Sequence, residues 1–167
     1  MRKTGLLLGI VLLTVASAFA APVQAASTAY SFNLTGPNTA VSVPGAPFAG
    51  DTIKLRGSGT FDPARGTVDA SGSFTHVHPD GTVVAHGTWV ATSFVSFSAF
   101  GGPNAGKQGG VLWITVDVIH NGQTVFADLP MSVTCLVNAP ADFDGEEGTT
   151  LGPFLEKTGG ETLFHLE

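Results

Sequence analysis

Three short segments share one five-residue pattern, and that pattern limits what the chain can fold into. GSGTF (57–61), ASGSF (70–74) and AHGTW (85–89) each read small residue, any residue, Gly, hydroxyl, aromatic. Each lies in a run of alternating apolar and polar residues bounded by turn residues, the period-two signature of a strand. Glycines recurring on successive strands let a sheet coil, or allow close packing at a barrel corner. A meander built this way favours a closed or nearly closed antiparallel barrel.

The same alternation predicts strands over 28–35, 51–61, 66–78, 82–92, 93–98, 110–120, 123–137 and 160–166. Twenty-two glycines and ten prolines, with few Lys or Glu, argue against helix. No long 3.6-residue periodicity follows the N-terminal segment. The expected fold is all-β: an antiparallel meander closing into a small, about eight-stranded, calycin-like barrel, whose interior is filled or holds one ligand. A two-sheet β-sandwich is the alternative. Two turns carry their own chemistry. Asn121-Gly122 in HNGQ suits a two-residue hairpin loop with positive φ. HPDGT (78–82) suits a type I turn closed by a glycine bulge. Residues 36–50, 99–110 and 138–159 read as long loops, which in a compact domain are more often functional than short ones.

The N-terminus has the three-part layout of a secretory leader: Arg2 and Lys3, an apolar run from Leu6 to Val15, then small residues before two candidate cleavage points. The apolar run is short for a membrane span. The preferred division is a signal peptide over 1–25 and one exported domain over 26–167, with no membrane span in the mature chain. At roughly 140 residues such a domain buries a core without covalent help. Cys135 is the single cysteine, so no intrachain disulfide forms; on a predicted strand it reads as a small buried apolar residue. Seven basic residues stand against thirteen acidic ones, and two of the seven lie in the leader. The remaining five are scattered, which argues against nucleic acid as a partner.

The most informative stretch is GSFTHVHPDGTVVAHGTW (72–89), which holds three of the five histidines. On strand 66–78 one face reads Val68, Ala70, Gly72, Phe74, His76, His78, and it is the core face. A three-residue Pro79-Asp80-Gly81 loop sets Phe74 opposite His86 and His76 opposite Val84. His76, His78 and His86 then share a face with Phe74, Val84, Thr88 and Val90. A two-residue loop shifts the pairing by one, and His86 faces away beside Thr75. The Pro-Asp-Gly chemistry favours the longer loop.

Three imidazoles on neighbouring strands suit a divalent transition metal with an open coordination position, so His76, His78 and His86 are candidate metal ligands. Phe74, Val84 and Thr88 are the candidate ligand-binding residues beside them. The His-x-His pair is similar to the metal-binding strand of cupins, but the Glu of that pattern is replaced here by the Pro79-Asp80-Gly81 turn. Asp142, Asp144, Glu146 and Glu147 in DFDGEEG offer oxygen ligands for Ca²⁺, although a solvated acidic loop is the simpler account. No G-x-S-x-G is present, and no paired acids can be singled out. On strand 110–120, Leu112, Ile114, Val116 and Val118 form a core face, leaving Trp113 and Asp117 on the other.

GTW (87–89) resembles the Gly-x-Trp of lipocalins, placed mid-chain rather than on the first strand. The run from GSGTFDPARGTVDASGSF through VTCLVN to GGETLFHLE resembles secreted bacterial β-domain proteins with no assigned activity. That resemblance implies export and a β domain, not a reaction. Three functions follow: a secreted module binding a small-molecule ligand or metal, a metal-dependent enzyme built on the histidines, or an interaction domain.

Overall fold

The computed structural model describes residues 28–167; the expected signal peptide over 1–25 lies outside them. Among the described residues there are nine antiparallel strands and no helix. They are β1 (Tyr30–Ser42), β2 (Thr52–Asp62), β3 (Thr67–Val77), β4 (Val83–Asn104), β5 (Lys107–His120), β6 (Gln123–Cys135), β7 (Gly148–Leu151), β8 (Leu155–Gly159) and β9 (Thr162–Leu166). All belong to one sheet rather than the two of a sandwich. Strands β1 to β5 pair in chain order except that β9 stands between β1 and β5, and the β4–β5 pairing completes a ring of six strands.

The ring is not closed evenly along its length. At one end β9 pairs with β1 at residues 30–34 and with β5 at 107–108. Towards the other end β1 pairs instead with β8 at residues 39–42, while β6 and β7 extend the sheet from β5. The end bridged by β9 is packed with rings: Tyr30 stacks on Phe61 at 5.2 Å between centroids, and Phe97 meets Phe61 at 4.9 Å and Phe164 at 5.5 Å. Leu112, Ile114, Val116 and Val118 face this core from β5, as the alternation predicts, and Trp113 stands outside. Cys135 is buried at the end of β6.

Several expected loops are strand. Segments 82–92 and 93–98 fuse into β4, which absorbs its irregularities as bulges and runs on to a tight turn at Ala105-Gly106. The expected loop at 99–110 is therefore a hairpin tip. Residues 36–42 extend β1, and 138–159 contains β7 and β8. Glycine enrichment misled the reading there, because it marks bulged and twisted strand as well as loop.

The five-residue repeat decides which face of each strand points inward. Its first, third and fifth residues lie on one face, and that face is the core: Phe61, Phe74 and Trp89 are all buried. The Trp89 indole lies over the glycines of the neighbouring strands and donates its Nε1–H to the Arg56 carbonyl oxygen at 3.1 Å. A methyl group at Gly72 would stand 2.6 Å from the indole and overlap the Arg56 carbonyl oxygen. One at Gly87, the partner of Phe74, would stand 2.7 Å from the phenyl ring and overlap the Ile119 carbonyl oxygen. Only glycine fits under either ring, an arrangement that covers a strand glycine with a neighbouring aromatic.

This packing overrides the register that the turn alone would set. The Pro79-Asp80-Gly81 loop forms as expected: Gly81 N–H donates to the His78 carbonyl, His78 N–H to the Thr82 carbonyl, and Gly81 has φ of 88°. Val77 then pairs with Val83, but His76 pairs with Ala85, so Val84 is an inserted bulge residue. One extra residue exchanges the two faces of a strand. Ala85, Gly87 and Trp89 turn inward, and Val84, His86, Thr88 and Val90 are exposed.

Gly72→Ala is expected to lower stability in urea unfolding by about 3 kcal/mol, the upper range for overpacking. Gly102→Ala, at a site with open space around it, should change it by less than about 0.5 kcal/mol.

Candidate functional site

A cavity of about 520 Å³ opens at the end of the ring that the aromatic rings leave unfilled. Ile53 of β2, Phe74 and His76 of β3, Ala85 of β4 and Val118 and His120 of β5 form one wall. Leu129 of β6 and the Leu151–Leu155 segment form the other, where β8 has replaced β9 beside β1. Phe48, Val125, Phe126 and Phe154 line the cavity and are also exposed, so the rim is as apolar as the wall. Ser42, Asp51, His76 and His120 are its polar and titratable side chains.

Asp51 is the centre of the polar edge. It directly precedes β2, and because Thr52 pairs with Val77 it falls beside His78. Its carboxylate is buried and accepts two hydrogen bonds: from His76 Nε2 to Oδ2 at 2.6 Å, and from His78 Nδ1 to Oδ1 at 2.8 Å. A carboxylate only accepts, so both facing ring nitrogens carry protons. That leaves Nδ1 of His76 and Nε2 of His78 free. The His78 hydrogen bond holds the Asp51 carboxyl below the ordinary carboxylate range, with His76 adding to it and desolvation opposing both.

The same residue fastens the 43–50 loop at the cavity mouth. Asp51 N–H donates to the Phe48 carbonyl at 3.0 Å, and its carbonyl accepts from Ser42 N–H at 2.9 Å. Phe48, held at φ of 59°, sets its ring edge-on to His76 at 5.7 Å. The other polar side chains are engaged as well. Ser42 Oγ donates to the Pro47 carbonyl at 3.0 Å. His120 Nδ1 donates to the His86 carbonyl at 2.8 Å, and its Nε2 accepts from Asn121 Nδ2 at 3.0 Å.

Of the candidate ligand residues, Phe74 lines the cavity, whereas Val84 and Thr88 lie on the outer face of β4 as a consequence of the bulge. His76 and His78 stand together, their rings 6.0 Å apart and joined through Asp51. His86 is not with them: it pairs with Thr75 on the outer face. Among the described residues no three His, Cys, Asp or Glu side chains are grouped to hold a metal ion. Asp142, Asp144 and Glu146 are exposed, and Glu147 instead accepts the Thr162 N–H at 2.9 Å. Asp51 and His120 escaped the sequence reading. Counting the β2–β3 register back from the Pro63–Gly66 turn would have placed Asp51 beside His78.

Because the folded Asp51 carboxyl titrates below its unfolded counterpart, its contribution is present above the ordinary carboxylate range, about pH 4, and is lost as pH falls through the lower folded value. The stability difference between wild type and Asp51→Asn, followed by urea unfolding, should be largest at about pH 6 and should shrink steadily below about pH 4. A difference independent of pH would contradict the ionised clasp.

Comparison with protein-family models, with curated proteins and with solved structures finds no match to this chain, so the geometry of the cavity carries the functional reading.

Proposed function

We propose that this protein is an exported binding module, a calycin-like barrel whose open end takes a small, largely apolar molecule. The observation that carries this reading is the cavity: about 520 Å³, apolar in wall and rim, with a few convergent polar groups at one edge. Small-molecule sites have this size and this balance. Ring closure of six strands supports the barrel description, and the leader-like N-terminus supports export.

Binding is favoured over turnover by the state of the polar groups. Acyl-transfer and enolisation chemistry need a donor aimed at the oxygen where negative charge develops. Here the protons of Ser42, His76 and His120 are engaged by Pro47, Asp51 and His86. The five basic residues outside the leader region line no part of the cavity, consistent with a neutral ligand.

The neutral fluorophore N-phenyl-1-naphthylamine should bind wild-type protein with enhanced emission. Ala85→Phe, which places a ring where Ala85 lines the wall, should weaken it roughly tenfold or more, about 1.4 kcal/mol. Equal binding by both proteins would overturn the reading. Native mass spectrometry of protein purified without detergent should show a bound small molecule that the variant lacks.

A further inference from the structure

The hydrogen-bonding state of the cavity names the chemistry of the ligand, an inference that rests on the binding reading above. Every proton on a polar side chain of the wall has a partner, whereas acceptor positions remain, those on Asp51 belonging to a carboxylate already hydrogen-bonded at both oxygens. Ser42 Oγ keeps lone-pair capacity after donating to Pro47, and in the neutral imidazole of His76, whose one N–H at Nε2 is committed to Asp51, Nδ1 is an acceptor. Among the described residues Nδ1 of His76 takes no hydrogen-bond partner. The wall's side chains therefore offer a ligand places to donate and none to accept from.

A ligand that brought only a carbonyl or ether oxygen would bury it without a side-chain donor, which is unfavourable. A carboxylate is disfavoured twice over. No Lys or Arg lines the cavity, and the nearest charged group is the Asp51 carboxylate, itself an anion. An apolar body carrying one hydroxyl satisfies both the wall and the free nitrogen.

We infer that the cavity selects an uncharged apolar alcohol or phenol, whose hydroxyl donates to Nδ1 of His76 while its body fills the space between Phe74, Val118 and Leu129. His76 is thus a specificity-determining residue, and Asp51 is a positioning residue that fixes which imidazole nitrogen faces the ligand.

Three naphthalene probes of one size test this: 2-naphthol, 2-methoxynaphthalene and 2-naphthoate, titrated by fluorescence at pH 7.5. Wild type should bind 2-naphthol about tenfold more tightly than the methyl ether, the worth of one hydrogen bond to an otherwise unpaired group. The naphthoate should bind no more tightly than the ether. His76→Phe should bring naphthol and ether to within about threefold of each other while retaining the ether. Should that variant not fold, the ¹⁵N shift of His76 Nδ1 in wild type reads the same contact: it should move upfield on adding 2-naphthol and stay put with the ether. Tightest binding by naphthoate, or a naphthol preference that survives His76→Phe, would overturn the assignment. If all three probes bind alike and Ala85→Phe abolishes them, the cavity reading stands and the alcohol inference fails. If none binds, the cavity reading fails with it.

Discussion

The seat of Trp89 on the glycines of β2 and β3 is the contact on which the rest of the structure depends. A strand has two faces and no intermediate choice, so any force that fixes one side chain inward fixes every second residue with it. The indole is the largest fully buried side chain, and truncating such a residue costs about 3–5 kcal/mol. No exposed Val or Thr on the opposite face of β4 matches that. The bulge at Val84 is the local adjustment that lets a hairpin with a three-residue turn also bury Trp89. It moves His86 out, brings Ala85 in, and so leaves space where a larger side chain would have stood.

That space is then bordered by a polar device made from the same strand. Phe74 supplies part of the cavity wall, and two and four residues on, His76 and His78 reach the Asp51 carboxylate. A carboxylate withdrawn from water must be hydrogen-bonded or charge-compensated, and both oxygens of Asp51 are taken up. Since Asp51 also holds the end of the 43–50 loop through its backbone, the conformation of the mouth and the tautomer of His76 are set by one residue. Fold and site are linked there through short, directional bonds rather than through general packing.

Much of this was legible in the sequence, and the exceptions have specific causes. The all-β class, the Asn121-Gly122 and Pro79-Asp80-Gly81 turns, the core face of β5 and the buried Cys135 follow from local chemistry, because each depends on residues within a few positions of one another. The orientation of β4 did not follow, because turn geometry was taken to propagate unchanged along the hairpin. The repeat held the correction: its aromatic residues at 61, 74 and 89 share a face with its glycines, so aligning the three copies turns Trp89 inward and His86 outward. Asp51 was hidden for a different reason. Its partners lie 25 and 27 residues away, and nothing in its own neighbourhood marks it as more than a surface acid. The entry of β9 between β1 and β5 is likewise long-range, and no turn signal specifies it.

On the proposed function, the two ends of the ring divide the demands of stability and binding between them. An enclosed dry void of about 520 Å³ would forfeit on the order of 10 kcal/mol at about 24 cal/mol per Å³, as much as the whole stability of an ordinary domain. The chain avoids that cost by leaving the cavity open at its rim. It concentrates dense packing elsewhere, with Tyr30, Phe32, Phe61, Phe97 and Phe164 at the end bridged by β9. Between the two lies the layer of glycines covered by Trp89 and Phe74, too tightly fitted to collapse into the space beyond it. The frame around the cavity is thus held open by the packing of that layer. Phe48, Phe126 and Phe154 at the rim are the exposed phenylalanines among the described residues, and on the proposed reading an apolar molecule passing between them would gain contact before it reaches His76. Apolar surface that the fold leaves uncovered at the mouth is the counterpart of the apolar surface it packs at the other end.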